Sequence, residues 1–595
     1  MNGLHHALMR VNLNENTVTR EEISEELAEQ YLGGTGLGVA LLCTEIPSGV
    51  DPLGPENEVI IATGPLNGTR VPTSGRFSLV TKSPLTGTIF DSNSGGFWGV
   101  WFKTCGFDAL VINGKSSSPC YIAIEDQSVT IKDASECWGM DVDATTDFLI
   151  SQEGKNAKVL CIGPAGENLV KIASIMNDRH RAFGRGGVGA VIGSKNLKAL
   201  VVKPGKQKVI ISDPESLKAF VKTAVDKIIQ APITGRSMPN FGTAGLVNVI
   251  NTFGLFPINN HQAGASDLAN QISGEAIRKQ LLVESEACFN CPIGCGRLTK
   301  TETMNGKGPE YESVWALGAE CGVFDLQQVA NANYECNRLG IDTISAGVTI
   351  ACAMELNQRG IADTGVNFGD GDKIIPLLRQ IASREALGNE LAEGSFRFAS
   401  NYNSPQYAMC VKKQELPAYD PRGAQGQGLA YATSNRGGCH LRGFLVGMEI
   451  LGVPKKIDRF GVAGKADILV RLQNGTRVTD SLVTCKFAEY SIGSDHLSRF
   501  LTAVTGKSYS AADLDVIGER IWNLERLFNL REGFSRTDDT LPERFMTEPF
   551  EDGPSKGVVV HLQDLLDQYY EVRGWDEMGV PTDQTLEKLS LRRLA

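Results

Sequence analysis

Cys288-Phe289-Asn290-Cys291-Pro292-Ile293-Gly294-Cys295 sets three thiols at a Cys-x2-Cys-x3-Cys spacing, with a proline and a glycine bending the chain between them. Such a loop turns several thiolates toward one centre without distorting a regular element. An iron–sulfur cluster takes four cysteine ligands, so a fourth must come from elsewhere. Cys485, in Asp480-Ser481-Leu482-Val483-Thr484-Cys485, is the best candidate. Zinc also accepts four sulfurs, but structural zinc sites usually pair two short cysteine knuckles, and this sequence has no second one.

The remaining composition is that of an ordinary globular protein. The 595 residues are 42% hydrophobic and 21% charged, enough for a sizeable core and for several domains. A net charge of −11 argues against a nucleic-acid surface, which needs a basic stripe. No apolar run approaches the ~20 residues of a membrane span, and Met1 to Asn12 holds no signal-peptide core. The expectation is a cytoplasmic protein without a membrane span. The 14 cysteines are scattered along the chain, so a disulfide framework is not expected. Cys43, Cys105, Cys120, Cys137, Cys161, Cys321, Cys336, Cys352 and Cys410 lie in mixed apolar surroundings and read mostly as small core residues.

Residues 1–208 read as β-rich. Short β-branched or aromatic runs at Val59–Thr63, Phe77–Thr81, Ala109–Ile112, Tyr121–Ile124, Val159–Gly163 and Ala199–Val202 are punctuated by turn residues. One helix is expected from Glu21 to Tyr31. Gly184-Arg185-Gly186-Gly187-Val188-Gly189 matches Gly-x-Gly-x-x-Gly, but it follows a polar stretch, Asn177 to Arg181, and no ribose-binding acid stands ~20 residues on. A glycine-rich loop flanked by Arg181 and Arg185 still suits a phosphate; a tight structural turn is the plainer reading.

From 209 the pattern turns helical. Asp213-Pro214 starts one helix, others are expected at 275–283, 326–338, 345–358 and 373–384, and the cysteine motif falls between helices. Ala418 to His440 reads as a long Gly/Asn/Pro-rich functional loop. Ile517 to Leu530 is the clearest amphipathic helix, and the chain beyond 540 reads as a surface wrap. The expected architecture is α+β: a β-rich domain at 1–208 and two mainly helical domains at 209–417 and 418–595.

Taken together, Arg10-Val11-Asn12-Leu13, Gly64-Pro65-Leu66, Thr81 to Gly87, Gly163-Pro164-Ala165-Gly166-Glu167, Gly184 to Lys198, Cys291 to Arg297, Gly308 to Glu312, Asp420-Pro421-Arg422-Gly423 and Asn435 to His440 resemble the tungsten-containing aldehyde:ferredoxin oxidoreductases, essentially end to end. The resemblance implies a β-structured base for two pterins, with two helical domains closing over the metal and leaving a substrate channel. It implies a [4Fe–4S] cluster on Cys288, Cys291, Cys295 and Cys485. Cofactor phosphates and pterins would meet Arg76, Asn93, Gly95 and the run Ala182-Phe183-Gly184-Arg185. A magnesium ion between the phosphates would be held by backbone carbonyls near Asn93 and Phe183.

Two further segments of the family hold the pterins. Here they are Asn337-Arg338-Leu339-Gly340-Ile341-Asp342 and Asp480 to Cys485. Asn337, Gly340, Ile341 and Asp342 in the first, and Asp480 and Thr484 in the second with Lys486 just after it, are the expected contacts. Both segments depart from the family pattern: Asn337 stands where an acid often does, and Val483-Thr484 replaces Gly-Leu. An amide still accepts and donates hydrogen bonds. Lys486, after the fourth cysteine, is also unusual, and a cation beside an anionic cluster raises its potential. Some members bind a metal between subunits through Glu-x-x-His; the equivalent Asn331-Ala332-Asn333-Tyr334 lacks those ligands, so any homodimer is expected without a bridging metal.

The resemblance implies aldehyde oxidation to a carboxylic acid, a step that side chains perform poorly and a cofactor carries. Glu312 matches the general base for the attacking water, and His440 the hydrogen-bond donor to the substrate carbonyl. Each such role contributes typically ~10²–10⁴-fold. Electrons would leave through the cluster to ferredoxin or a partner iron–sulfur subunit. Two alternatives stand beside this: an aromatic acyl-CoA reductase-type subunit of a larger complex, and a non-catalytic iron–sulfur subunit that has lost its tungsten. No residue distinguishes tungsten from molybdenum.

Overall fold

The computed structural model describes residues 1–592. Twelve strands form the N-terminal region: β1 (Ala7–Asn12), β2 (Thr17–Glu22), β3 (Val59–Ala62), β4 (Phe77–Lys82), β5 (Ile89–Ser94), β6 (Ala109–Asn113), β7 (Cys120–Glu125), β8 (Ser128–Asp133), β9 (Lys158–Cys161), β10 (Ile175–Asn177), β11 (Arg181–Phe183) and β12 (Leu197–Val202). They make two six-stranded mixed sheets, ordered β2-β1-β6-β3-β4-β5 and β11-β10-β9-β12-β7-β8. One pair in each sheet is parallel, β1 with β6 and β7 with β12.

Side-chain alternation explains how the sheets are covered. On β3, Val59 and Ile61 point into a core shared with Ile122, Leu160 and Leu200 of the second sheet. Ile60 and Ala62 point the other way, onto Leu37 and Leu42 of the helix Gly34–Glu45 and Ile517 and Ile521 of the helix Ala511–Arg531. Buried on both faces, β3 reads as a continuous apolar run rather than an alternating one. Phe77 stacks on Trp98 with ring centroids 5.1 Å apart at the centre of the inter-sheet layer.

The rest of the chain is mainly helical. The apolar core runs across the division expected near 417, joining Trp315, Leu429, Trp522 and Tyr569 in one cluster. No helix among the described residues is long and apolar enough to cross a membrane.

Several local readings are corrected. β2 runs to Glu22 and the following helix begins only at Glu25, because the Ser24 hydroxyl caps it by accepting from the Leu27 N–H at 3.2 Å. The cysteine loop lies between two strands, β13 (Leu282–Glu286) and β14 (Gly296–Lys300), not between helices. The glycine-rich loop does follow a strand, the short edge strand β11, and leads into the helix Val188–Ser194. The segment expected as a long loop contains the buried helix Gln425–Thr433. Its glycines, which read as loop, admit Leu445 and Val560 against the helix. The C-terminal region is not a surface wrap: the helix Leu562–Arg573 buries Leu565, Tyr569 and Tyr570.

Backbones of distant segments touch where glycines remove the side chain. A Cβ on Gly340 would lie 2.9 Å from the Gly163 amide nitrogen, and one on Gly64 would lie 2.7 Å from the Ser481 carbonyl oxygen. Hydrogen bonds from Ser174 N–H to the Gly340 carbonyl at 2.9 Å and from Asp342 N–H to the Ile172 carbonyl at 3.0 Å lock the first contact. Gly36 N–H to the Ser481 hydroxyl at 3.0 Å and Ser78 hydroxyl to the Asp480 carbonyl at 3.2 Å lock the second. Segments 337–342 and 480–485 are thereby both pressed onto the sheet domain.

Gly163→Ala places a methyl group against the Leu339 peptide, which cannot move aside, and is expected to lower stability by about 1–3 kcal/mol. Gly475→Ala, on the exposed face of the helix Lys465–Ser481 with no atom within 4 Å of the added carbon, is expected to raise it by up to ~1 kcal/mol. Thermal unfolding of the two variants beside the parent checks both signs.

Candidate active site and cluster loop

A cavity of about 660 Å³ opens where the sheet domain meets both helical segments. All four candidate cluster cysteines line it, as do Glu312 and His440. The loop carrying Cys288, Cys291 and Cys295 is shaped by left-handed backbone at Asn290 (φ 48°) and Gly294 (φ 58°). The Asn290 side-chain amide donates to the Arg70 and Val71 carbonyls at 2.8 and 2.9 Å. The fourth cysteine joins through one residue that sequence reasoning missed. Thr73 donates its N–H to the Asn290 carbonyl at 3.0 Å, and its carbonyl accepts from the Cys485 N–H at 3.1 Å. Its backbone is left-handed as well (φ 63°), and only that uncommon conformation in a β-branched residue would have marked it.

The four thiols line the same cavity. No group of three or more His, Cys, Asp or Glu side chains among the described residues converges closely enough for a single metal ion. Burial pushes the thiols of Cys291 and Cys295 up, and that of Cys485 to about 12. At Cys288 burial works in the same direction, but the Arg181 and Arg76 guanidinium groups outweigh it and hold the thiol below its usual value. Gly95 is what lets this corner close, since a Cβ there would sit 2.8 Å from the Cys288 sulfur.

Of the expected cofactor contacts, Arg76, Asn93, Gly95, Ala182 and Gly184 line the cavity from the sheet domain. Asn337, Ile341, Asp342 and Lys486 line it from the helical segments. Phe183, Arg185, Gly340, Asp480 and Thr484 stand behind this wall. Phe183 packs edge-on against Phe77 with centroids 4.9 Å apart. Arg185 is consumed in cross-links to Asp342 Oδ2 at 3.1 Å, the Gly438 carbonyl at 3.0 Å and the Glu415 carbonyl at 2.7 Å. Of the two arginines that bracket the glycine-rich loop, Arg181 is the one that reaches the cavity. Lys486 donates to the Thr476 hydroxyl at 2.7 Å and pairs with Glu489 at 3.1 Å, which offsets part of its charge.

Asp480 belongs to a buried ionic knot. Its Oδ2 accepts from Arg442 at 2.9 Å, and Arg442, Arg436 and Arg477 all converge on Asp91 at the middle of β5. Burial opposes ionisation of Asp91, but the three guanidinium groups hold its carboxyl below the usual range. Arg477 also pairs with Glu525, so β5, the segment 436–442 and two long helices meet at one charge centre. Arg436 additionally donates to the Cys439 sulfur at 2.9 Å.

That segment presents His440. Its ring packs against both Tyr419 (centroids 5.6 Å apart) and Phe444 (6.1 Å), which also meet each other edge-on at 5.2 Å. Glu312, in the first turn of the helix Tyr311–Leu317, faces it, with Oε1 at 3.7 Å from His440 Nε2. Glu312 Oε2 accepts from the Ala418 N–H at 2.9 Å, while Oε1 and His440 Nδ1 are buried without a hydrogen bond. Burial raises the Glu312 carboxyl to about 8, partly opposed by the Ala418 N–H and Arg185. Burial also drives His440 well below its usual value, aided by Arg185 and Arg436. At neutral pH the pair is a carboxylic acid beside a neutral imidazole.

A carboxyl raised from 4.5 in the unfolded chain to about 8 in the folded one lets the native state keep a proton that the unfolded state gives up. Its contribution is intact below 4.5 and is lost as pH rises through 8. Glu312→Gln is therefore expected to match the parent's stability near pH 4 and to exceed it near pH 8 by a few kcal/mol, at about 1.4 kcal/mol for each pH unit that separates the two pKa values. Unfolding midpoints at the two pH values check this; an equal difference at both would contradict it.

Comparison with known proteins covers nearly the whole chain. Residues 8–204 match the family model described as aldehyde ferredoxin oxidoreductase, N-terminal domain, and residues 219–591 match that for its domains 2 and 3. The tungsten-containing aldehyde ferredoxin oxidoreductase of Pyrococcus furiosus is 47% identical over 602 residues, covering 99% of each chain. That of Thermococcus kodakarensis is 46% identical with the same coverage. The active site complex BamBC of benzoyl coenzyme A reductase superposes with a TM-score of 0.86 at 25% identity, covering 100% of this chain and 98% of that one. A chain that matches the family from end to end, and folds a four-cysteine cavity against a partly buried Glu–His pair, is a member of the tungsten-containing aldehyde ferredoxin oxidoreductase family of enzymes.

Proposed function

We propose that this oxidoreductase converts aldehydes to carboxylic acids at a tungsten bis-pterin centre beside a [4Fe–4S] cluster, and passes the electrons to ferredoxin or a partner iron–sulfur protein. The observation that carries the reading is the partly buried pair Glu312–His440, facing one cavity with Cys288, Cys291, Cys295 and Cys485.

The residues present fit the implied groups. Four thiols lining one cavity suit a cluster better than a single ion. Arg76 and Arg181 supply guanidinium groups for the cofactor phosphates, Gly95 and Gly184 give backbone access, and Asn337, Ile341 and Asp342 offer hydrogen-bonding groups to a pterin. The Asn93 carbonyl accepts from Arg76 at 2.7 Å, but a carbonyl oxygen keeps a second lone pair, so a magnesium ion there with Phe183 is compatible. The tungsten centre, when bound, supplies the two-electron redox change.

The protein's part is proton handling and orientation. Oε1 of Glu312 has no protein partner and, once deprotonated, takes the proton of an attacking water. The Ala418 N–H fixes the other oxygen, so the basic lone pair stays aimed at His440 and the cavity. His440, neutral and held against two aromatic rings, turns Nε2 toward that space. As the Nε2–H tautomer it donates to the aldehyde oxygen. Tyr419 and Phe444 exclude bulk water and accommodate an apolar substrate body.

Aldehyde-dependent reduction of a viologen dye tests the reading. A base raised to about 8 works only when deprotonated, so kcat/KM is expected to climb as pH approaches 8 and then level. Glu312→Gln should abolish that climb and lower kcat by ~10²–10⁴-fold, and His440→Ala should act on a similar scale. Undiminished activity in Glu312→Gln would contradict the assignment.

A further inference from the structure

The cysteine loop is not sealed inside. Asn290 is exposed, Ala287 is exposed, and no atom lies within 4 Å of a carbon placed on Gly294. Phe289, between Cys288 and Cys291, is half-buried and meets Phe97 edge-on with ring centroids 6.3 Å apart. Phe97 in turn meets Trp101 edge-on at 5.6 Å. All three rings are partly open, so an aromatic strip runs along the surface and ends at the cluster loop. Tryptophan and arginine at such a strip are the residue types that carry binding energy at protein interfaces.

Cations fasten to the same few residues. Arg70, exposed and without an ion pair among the described residues, has its carbonyl bonded to Asn290. Arg181 directs a guanidinium N–H at the Ala287 carbonyl at 3.4 Å. Lys158 lies over the Phe97 ring at 5.5 Å, loosely paired with Asp178 at 3.6 Å. Glu286, the other acid beside the loop, is taken by Lys307 at 2.9 Å. On a chain of net charge −11, this is a local surplus of positive charge around an apolar strip.

We infer that Trp101, Phe97 and Phe289, rimmed by Arg70 and Lys158, form the docking surface for an acidic, one-electron iron–sulfur carrier. The inference rests on the proposed activity. Oxidising an aldehyde with water releases two protons and two electrons, and each carrier accepts one electron, so two dock in turn for every aldehyde consumed. A surface used that way must release its partner quickly. A compact strip of three rings with a charged rim suits the small interfaces of transient electron-transfer encounters, and charge complementarity acts chiefly on the encounter rate.

The test uses the full-length, metal-loaded enzyme with an acidic ferredoxin and, separately, a small viologen dye as acceptor. Arg70→Glu combined with Lys158→Glu is expected to raise KM for ferredoxin about tenfold or more, and to remove most of its salt dependence. Trp101→Ala should raise the same KM at unchanged salt dependence. Both variants should keep the dye-linked rate within about twofold of the parent, because a small dye needs no extended docking surface to take an electron. An unchanged ferredoxin KM in both variants overturns the docking surface, and so does a parallel loss of dye and ferredoxin rates in both. A parent enzyme that reduces neither acceptor with any aldehyde would instead overturn the activity itself.

Discussion

The site depends on one peptide-level joint. Thr73 comes from the sheet domain, yet its N–H holds the loop of three cysteines and its carbonyl holds the fourth, more than 190 residues further along. Because Thr73 is buried and left-handed, the joint has little freedom to drift. The glycine contacts extend the same logic to the other walls. Gly163 against Gly340, and Gly34 and Gly64 against Asp480 and Ser481, let backbones meet without side chains between them. A cavity formed by three chain regions keeps its shape because each region is tied to the sheet domain, through these backbone contacts and through buried side chains such as Arg185.

Charge is arranged around that frame in opposite ways on two sides. Toward β5, Asp91 gathers three arginines, and the knot fixes both Asp480 and the segment leading to His440. An uncompensated buried charge there would cost several kcal/mol, so the members stand or fall together. Toward the cavity, Glu312 and His440 are largely buried without such compensation, and burial drives both toward their neutral forms. Rigid ionised groups hold the wall, while groups poised to exchange a proton face the cavity.

Much of this was legible in the residues. The strands at Val59, Phe77 and Ala109 announced themselves through β-branched runs, and the cysteine spacing marked the loop from local chemistry alone. Glu312 and His440 were not legible that way; only their match to a family's motifs singled them out. What escaped was set by tertiary contact. The helix Gln425–Thr433 is rich in glycine and glutamine, and burial overrides their poor propensity. Thr73 works through its backbone, and no property of a threonine side chain reports that. Arg185 looked equivalent to Arg181, but a neighbouring aspartate and two carbonyls absorb it. The charge at Lys486 looked free until Glu489 and Thr476 came beside it.

The departures at Asn337, Val483 and Thr484 bear most directly on the central claim, because they alter the two segments expected to hold the pterins. Elemental analysis of anaerobically purified protein for tungsten, molybdenum, iron and zinc decides it. The account predicts about one tungsten or molybdenum and about four iron per chain, with zinc absent. About four iron with neither heavier metal would contradict it, leaving an iron–sulfur protein whose altered segments no longer hold the catalytic centre.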